Sequence, residues 1–405
     1  MCKLWYGGSK NSYLRGYIDM KAFETYASEM KVMQDRITGA TVRQLTSYLG
    51  DSYHTYFTNN GFWDNDKRLL FSSDRNNAHN LFSIELESGE ISRLTDYKPD
   101  EPRVQFINDR NPKLNEIYCI IENGLYAQDF VTLERRKLYQ APEGFNLHGA
   151  LAGADGIYVY CSLIEDLSKR IYMNLGASYV GFEEYFKAKP DSRIIRVNVH
   201  NGQMEELWQE NCWIGHINPS PVLPNILTFC HEGPWTMVDN RMWTLYLDTG
   251  KVEMLRPRKV EKEGIGHEYW FEDGTTVGYQ VHNPNGKSYF GMIQYDGTKE
   301  YEGLCTPITS PDHIHSLDHK LIVSDAGKTI KLYRFNGKDY DDARVLCMHD
   351  GSFFHQNHHP HPKLLPNGKQ VLYNSNCMGY CNIYLTDIPE DIPALPKVID
   401  VEKFD

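Results

Sequence analysis

Alternation of apolar and polar positions is the dominant pattern of this chain, and it recurs. From Ile37 onward a strand-like run ends in a turn with Gly, a second short run follows, and in three copies a Leu comes five residues after the Gly. The clearest copies are Leu81–Leu86 leading to Gly89 and Leu94, Ile194–Val199 leading to Gly202 and Leu207, and Met242–Leu247 leading to Gly250 and Leu255. Weaker copies end at Gly297 and Gly337, and other strands precede the copies, as at Arg68–Ser73 and Gln370–Ser375. A repeat of roughly 40 to 50 residues built from short strands is the pattern of propeller blades. Counting gives six or seven units.

The two ends of the repeat are incomplete in complementary ways. Residues Thr38–Thr46 read as the second half of a hairpin with no first half, and the last unit, around Asn382–Leu385, lacks its outer partner. An N-terminal strand that completes the last blade removes both deficits and leaves no exposed edge. The expected fold is all-β: a seven-bladed β-propeller over residues 37–405, closed by an N-terminal strand, with residues 1–36 as an arm. Within that arm, residues 20–30 read either as a short helix or as a segment packed on the body. The unit between Tyr158 and Arg193 is too long. Leu163–Arg170 and Phe182–Lys187 show helical spacing, so an insertion over 163–190 is expected on one face, either beside a binding site or as a solvated excursion.

Composition agrees with a large β protein: 405 residues, 41% hydrophobic, with 13% aromatics including 27 Tyr. The net charge of −12, without basic blocks, argues against nucleic acid, and an anionic substrate must be held by local positive charge. No apolar run approaches a membrane span, and the N-terminus lacks a signal-peptide core. Nine scattered cysteines read as reduced thiols of a cytoplasmic protein.

The chemistry concentrates in the histidines. In Gln356-Asn357-His358-His359-Pro360-His361-Pro362, Pro360 biases His359 to an extended conformation. Read as the approach to a strand, the segment projects His359 and His361 to one side, with Gln356 arriving from the preceding turn. Two imidazoles and an amide oxygen form half of a metal site suited to a hard ion such as Mn²⁺. His313, at the start of the preceding unit, can supply a further ligand, and His315, two residues on, competes for that role. His267 begins the unit before, and His231 and Arg241 fall one unit earlier again. Histidine, arginine and a metal site thus recur in neighbouring units facing one axis.

The segments His231-Glu232-Gly233-Pro234, Asp239-Asn240-Arg241-Met242-Trp243, His267-Glu268-Tyr269-Trp270 and Gln356–Pro362 resemble those of the oligogalacturonate lyases, pectin-degrading polysaccharide lyases built on a seven-bladed β-propeller. The resemblance runs from about Ile37 to Pro389 and is strongest from His231 onward. It implies a Mn²⁺ ion held by Gln356, His359, His361 and His313. It also implies His267 as the Brønsted base and Arg241 as the group that neutralises the substrate carboxylate. The implied reaction is β-elimination on short oligogalacturonides: C5 of a uronate loses its proton, the C4–O bond breaks, and an unsaturated uronate that becomes a 4-deoxy-5-keto uronate is left. His231 and Trp235 are expected to contact substrate, while Tyr269 and Trp270 are expected in the core. The sequence departs from the family pattern at Trp235, where a histidine is common, at the additional histidines His315 and His358, and in its first half, including His54 and the insertion. These departures bear on the substrate. Two other readings fit the same residues: a lyase for another uronate oligosaccharide, and a propeller that binds partners without catalysis.

Overall fold

The computed structural model describes residues 21–175, 179–306 and 313–402. Within them seven antiparallel sheets follow one another around a ring. Blade 2 takes residues 105–140, blade 3 residues 145–211, blade 4 residues 214–254, blade 5 residues 264–305 and blade 6 residues 314–348, each as four strands in sequence order. Blade 1 is built from 52–53, 62–63, 68–73, 80–85 and 91–93, with Glu24–Tyr26 added at its outer edge. Blade 7 joins both ends of the chain: strands 363–364, 370–375 and 382–387 are followed by Thr41–Gln44, and then by Lys31–Gln34.

The ring is therefore closed from the N-terminal side, by a hairpin rather than one strand. The hairpin's first half is present at Lys31–Gln34, but all four of its residues are exposed, so it has no apolar alternation to read. No helix forms within the described residues 21–30 of the arm; Glu24–Tyr26 is a strand on Arg93–Ile91. Residues 1–20 lie outside the described residues, as do 176–178 of the insertion.

Seven apolar clusters sit between the blades, one at each junction. Leu70 and Leu81 of blade 1 meet Ile117 and Phe130 of blade 2. The last junction packs Leu372 and Ile383 of blade 7, with Leu45, on Leu69 and Phe82 of blade 1. These strands are buried on both faces, which is why they read as near-continuous apolar runs. An eighth cluster belongs to the insertion. Tyr185 of the helix Phe182–Ala188 packs with Ile164, Leu167 and Trp213. The helical reading of Leu163–Arg170 is corrected: Tyr158–Glu165 is a strand, and Leu163 and Ile164 are successive apolar residues because both of its faces are covered.

One irregularity recurs on the inner strands and places the site. In blades 3, 4 and 5 the register slips between His148 and Leu151, Gly215 and Asn218, and Gly266 and Tyr269. At each slip one residue is left-handed: Gly149 (φ 68°), His216 (φ 46°) and His267 (φ 52°). His361, just before the inner strand of blade 7, is left-handed too (φ 45°). A bulge re-aims a side chain that regular alternation would send into the sheet, and a positive φ at a residue other than Gly costs about 1 kcal/mol or more. Three histidines bear that strain around one channel.

Candidate metal and catalytic site

Three imidazoles from blades 6 and 7 converge. Ligand nitrogens of His313, His359 and His361 lie within 4.8 Å of one another. The ring centres of His313 and His361 are 4.2 Å apart, and those of His313 and His359 5.4 Å. The convergence is not that of an extended strand. Gln356–His358 forms a single 3₁₀ turn, His359 is polyproline-like, and His361 is left-handed.

The surroundings fix which nitrogen of each ring faces the others. His313 Nδ1 donates to Asp325 Oδ2 at 3.0 Å, which leaves Nε2 as the ligand atom. His359 Nε2 donates to the Phe353 carbonyl at 3.0 Å, which leaves Nδ1. Both His359 Nδ1 and His361 Nε2 are buried and have no hydrogen-bond partner. Buried lone pairs without a donor are costly, and a divalent cation satisfies them together. The residues therefore fit a metal. Asp325 is fully buried and also accepts the backbone N–H groups of His313 and His361, at 2.6 and 3.1 Å. One carboxylate thus orients ligands from two blades. Replacing it by asparagine is expected to lower Mn²⁺ affinity about 10- to 100-fold, as is usual for such supporting groups, in a calorimetric metal titration.

Gln356 stands at the rim of this group. Its amide nitrogen donates to the hydroxyl of Tyr179, from the insertion, at 3.0 Å. His315 is not part of the cluster. It stacks on Tyr269 at 5.6 Å, accepts the backbone N–H of Leu364 on Nδ1, and faces the far side of the channel.

His267 lies next to the triad, its ring centre 4.8 Å from that of His313. Burial first, then the neighbouring His313 and Arg241, hold its pKa well below the ordinary value, so the ring is neutral at neutral pH. The side-chain amide of Gln280 contacts its Nδ1. Trp235 meets the ring edge to face at 5.0 Å. Trp235 fits only because the residue before the histidine is Gly266, where a Cβ would fall inside the indole. Gly266→Ala is expected to push Trp235 and the His267 backbone apart and to reduce kcat about 100-fold with the fold retained, measured by steady-state kinetics beside thermal unfolding.

Arg241 is 4% exposed and stands between two carboxylates. Nη1 and Nη2 bond Glu232 at 2.9 and 3.4 Å, and Nε bonds Glu268 at 3.2 Å. Its guanidinium carbon lies 5.6 Å from the Trp235 ring centre. Glu232 also pairs with His216 at 3.3 Å. Burial alone would raise the pKa of Glu232, but Arg241 and then His216 hold it far below the carboxylate range. For His216 burial acts downward, and Glu232 and Glu268 raise the pKa overall. His216, Cys230 and Glu232 form a second group of close ligand atoms, but there Arg241 already occupies both oxygens of Glu232.

His231 is directed elsewhere. It bonds Glu210 of blade 3 at 2.8 Å and packs on Trp243 at 4.7 Å. Along the strand Ile226–His231 its neighbours Cys230 and Glu232 take the opposite side, toward the channel. The residues that sequence reading missed are Glu232, Glu268, His216, Asp325 and Tyr56. A signal existed for one of them, since Ile214-Gly215-His216 repeats the tripeptide Ile265-Gly266-His267 one blade earlier. Tyr56 and Phe57 come from blade 1 and cross the channel. Tyr56 lies 4.9 Å from His361 and 6.3 Å from His216, and Phe57 touches His267, His313 and His361 from below.

A sequence model described as oligogalacturonate lyase matches residues 23–392. The chain belongs to the oligogalacturonate lyase family. Among characterised relatives, an oligogalacturonide lyase of Pectobacterium atrosepticum is 28% identical over 393 residues, covering 89% of this chain and 96% of that protein. An oligogalacturonate lyase of Dickeya dadantii is 27% identical over 399 residues, covering 92% and 97%. Two solved structures share the fold. One is an oligogalacturonate lyase in complex with manganese, with a TM-score of 0.81 and 23% identity, covering 92% of this chain and 99% of that one. The other is the oligogalacturonate lyase of Vibrio parahaemolyticus, with a TM-score of 0.80 and 25% identity, covering 91% and 99%. Membership of the oligogalacturonate lyases thus rests on nearly the full chain, and the histidine cluster, His267 and Arg241 all lie inside the matched region. Among the described residues no helix is long and apolar enough to cross a membrane.

Proposed function

We propose that this chain cleaves short oligogalacturonides by β-elimination, with a Mn²⁺ ion held by His313, His359, His361 and Gln356. The single observation that carries the reading is the neutral His267 set 4.8 Å from a triad of imidazoles with buried lone pairs. When bound there, the ion supplies Lewis-acid polarisation of the substrate carboxylate.

The chain's own residues do the rest. Arg241 spends three N–H groups on Glu232 and Glu268. A guanidinium has five, so one N–H on each Nη is left, on opposite edges of the group, and either can be given to a uronate carboxylate. His267 removes the C5 proton. For Nε2 to act, Nδ1 must carry the ring's proton, and Gln280 turned with its amide oxygen to Nδ1 holds that tautomer. The Tyr56 hydroxyl has no side-chain or backbone partner among the described residues. Burial first, then Glu268 and Glu232, raise its pKa, so it stays protonated and can donate to the departing O4. Trp235 and Phe57 wall the site. His231, committed to Glu210, has no part in this reading. The free thiols of the eight described cysteines suit a cytoplasmic, reducing compartment.

The test is to incubate the protein with di- and trigalacturonate, with Mn²⁺ or with EDTA, and to weigh the products. Product masses that sum to the substrate without added water, with no reaction in EDTA, are the expected result. Intact galacturonides together with cleavage of another uronate oligosaccharide would move the assignment to that substrate.

A further inference from the structure

The channel has a second mouth, on the face away from the metal group. A cavity of about 260 Å³ opens there, lined by the far ends of the inner strands of all seven blades. Phe57 is its floor. The ring is fully buried, with His267, His313 and His361 on one side and Tyr269, 6.3 Å away, on the other. Phe57 therefore stands between the histidine group and this second chamber.

The second chamber carries charge where the fold does not need it. Lys363 is 8% exposed and lines the cavity. Its ammonium makes one hydrogen bond, to the Phe57 carbonyl at 2.8 Å, and no carboxylate among the described residues pairs with it within 4.0 Å. A buried ammonium has three donors and needs a counter-charge. His315 lies beside it. Because Nδ1 accepts the Leu364 N–H at 3.1 Å, the neutral ring carries its proton on Nε2, which is a donor. Two carboxylates, Asp109 and Glu272, line the same cavity, and so does Tyr269. Asp109 already accepts the Asn60 N–H at 2.7 Å and also the Ala152 N–H, which leaves it the remaining lone pairs of its two oxygens. The chamber thus presents clustered N–H donors, separate carboxylate acceptors and an aromatic wall.

We propose that this chamber binds a monomeric sugar acid, its carboxylate on Lys363 and His315 and its hydroxyls on Asp109 and Glu272. Asp109 and Glu272 act on Lys363 only from beyond ion-pair distance, so a neutral sugar leaves the ammonium without a carboxylate in direct contact, and a plain carboxylate leaves the acid groups unused. The volume admits one monosaccharide unit and no oligosaccharide. The inference concerns binding only and does not depend on the lyase reading, because the probe contains no glycosidic bond.

The experiment is a calorimetric titration of D-galacturonate into the full chain, with Mn²⁺ and again with EDTA, and of D-galactose as the neutral control. One molecule of galacturonate is expected to bind in both conditions, with no binding of galactose. Lys363→Met is expected to weaken binding at least about ten-fold, the usual consequence of losing a charged hydrogen bond. Leu151→Trp fills the cavity from blade 3, leaves Lys363 in place, and is expected to abolish binding, with thermal unfolding confirming the fold of both variants. Binding that disappears in EDTA belongs to the metal face and overturns the proposal. So does undiminished binding in Leu151→Trp, or equal affinity for galactose.

Discussion

Replacing His267 by alanine is expected to lower kcat on digalacturonate by about 10² to 10⁴, the range for loss of a general base, with KM and bound Mn²⁺ nearly unchanged. The loss falls on kcat because the ring lies beside the triad without belonging to it: Nδ1 faces Gln280, and Trp235 and Phe57 hold the plane of the ring at 5.0 and 5.9 Å. The tautomer argument adds a sharper comparison. Gln280→Glu keeps an oxygen acceptor for Nδ1–H and is expected to retain far more activity than Gln280→Met, which has none. Ultraviolet absorbance of the unsaturated product reads both. Equal loss in the two Gln280 variants would mean that the amide only fills space, and a His267→Ala protein of near-normal kcat would remove this histidine as the base.

Arg241→Met is expected to cost about 3–5 kcal/mol of folding stability, the range for breaking a buried pair by removing one partner. Glu232 and Glu268 are then left in a buried site with one cation fewer. The pH dependence contributed by these two carboxyls should also reverse in sign. In the native protein Arg241 outweighs burial and holds both carboxyls below their ordinary pKa. Their contribution is present above the unfolded-state pKa and is lost as pH falls through the folded value. Without Arg241 burial dominates and the folded pKa rises above the unfolded one. At these two groups the folded variant then binds more protons than the unfolded chain, so on acidification from pH 7 toward 5 it gains stability relative to the native protein, buried histidines away from Arg241, such as His315 and His361, titrating alike in both. Urea unfolding at the two pH values measures this. A variant whose stability falls from pH 7 to 5 by as much as that of the native protein would show that the two carboxylates are not governed by Arg241.

The blade repeat was legible because both faces of most strands are covered, so apolar runs mark each of them. Lys31–Gln34 escaped notice for the opposite reason, being an outer edge strand with no covered face. The histidines of the candidate site were legible by type and by order along neighbouring units, but not by the backbone that brings them together. His359 and His361 converge through a turn and a left-handed residue, where the spacing alone suggested an extended strand. The partners of His231, Glu210 and Trp243, could not be read from its place in the motif either. Asp325 could not be read at all. It is one of many aspartates, and only the pairing of Ile314 with Ser324 brings it level with His313.

Blade 7 has a consequence for how the protein is made. Its outer strands are synthesised before the other six blades, Glu24–Tyr26 of blade 1 apart, and its inner strands after them, and Val42 pairs with Thr386 across all six. Such distant pairing is slow to form. A nascent chain that has reached only Met348 can build six blades, but it lacks His359 and His361 and has nowhere to dock its N-terminal hairpin. Capacity for the metal and closure of the ring therefore arrive together, after synthesis of the last blade, and truncated chains should accumulate as metal-free species with open edges.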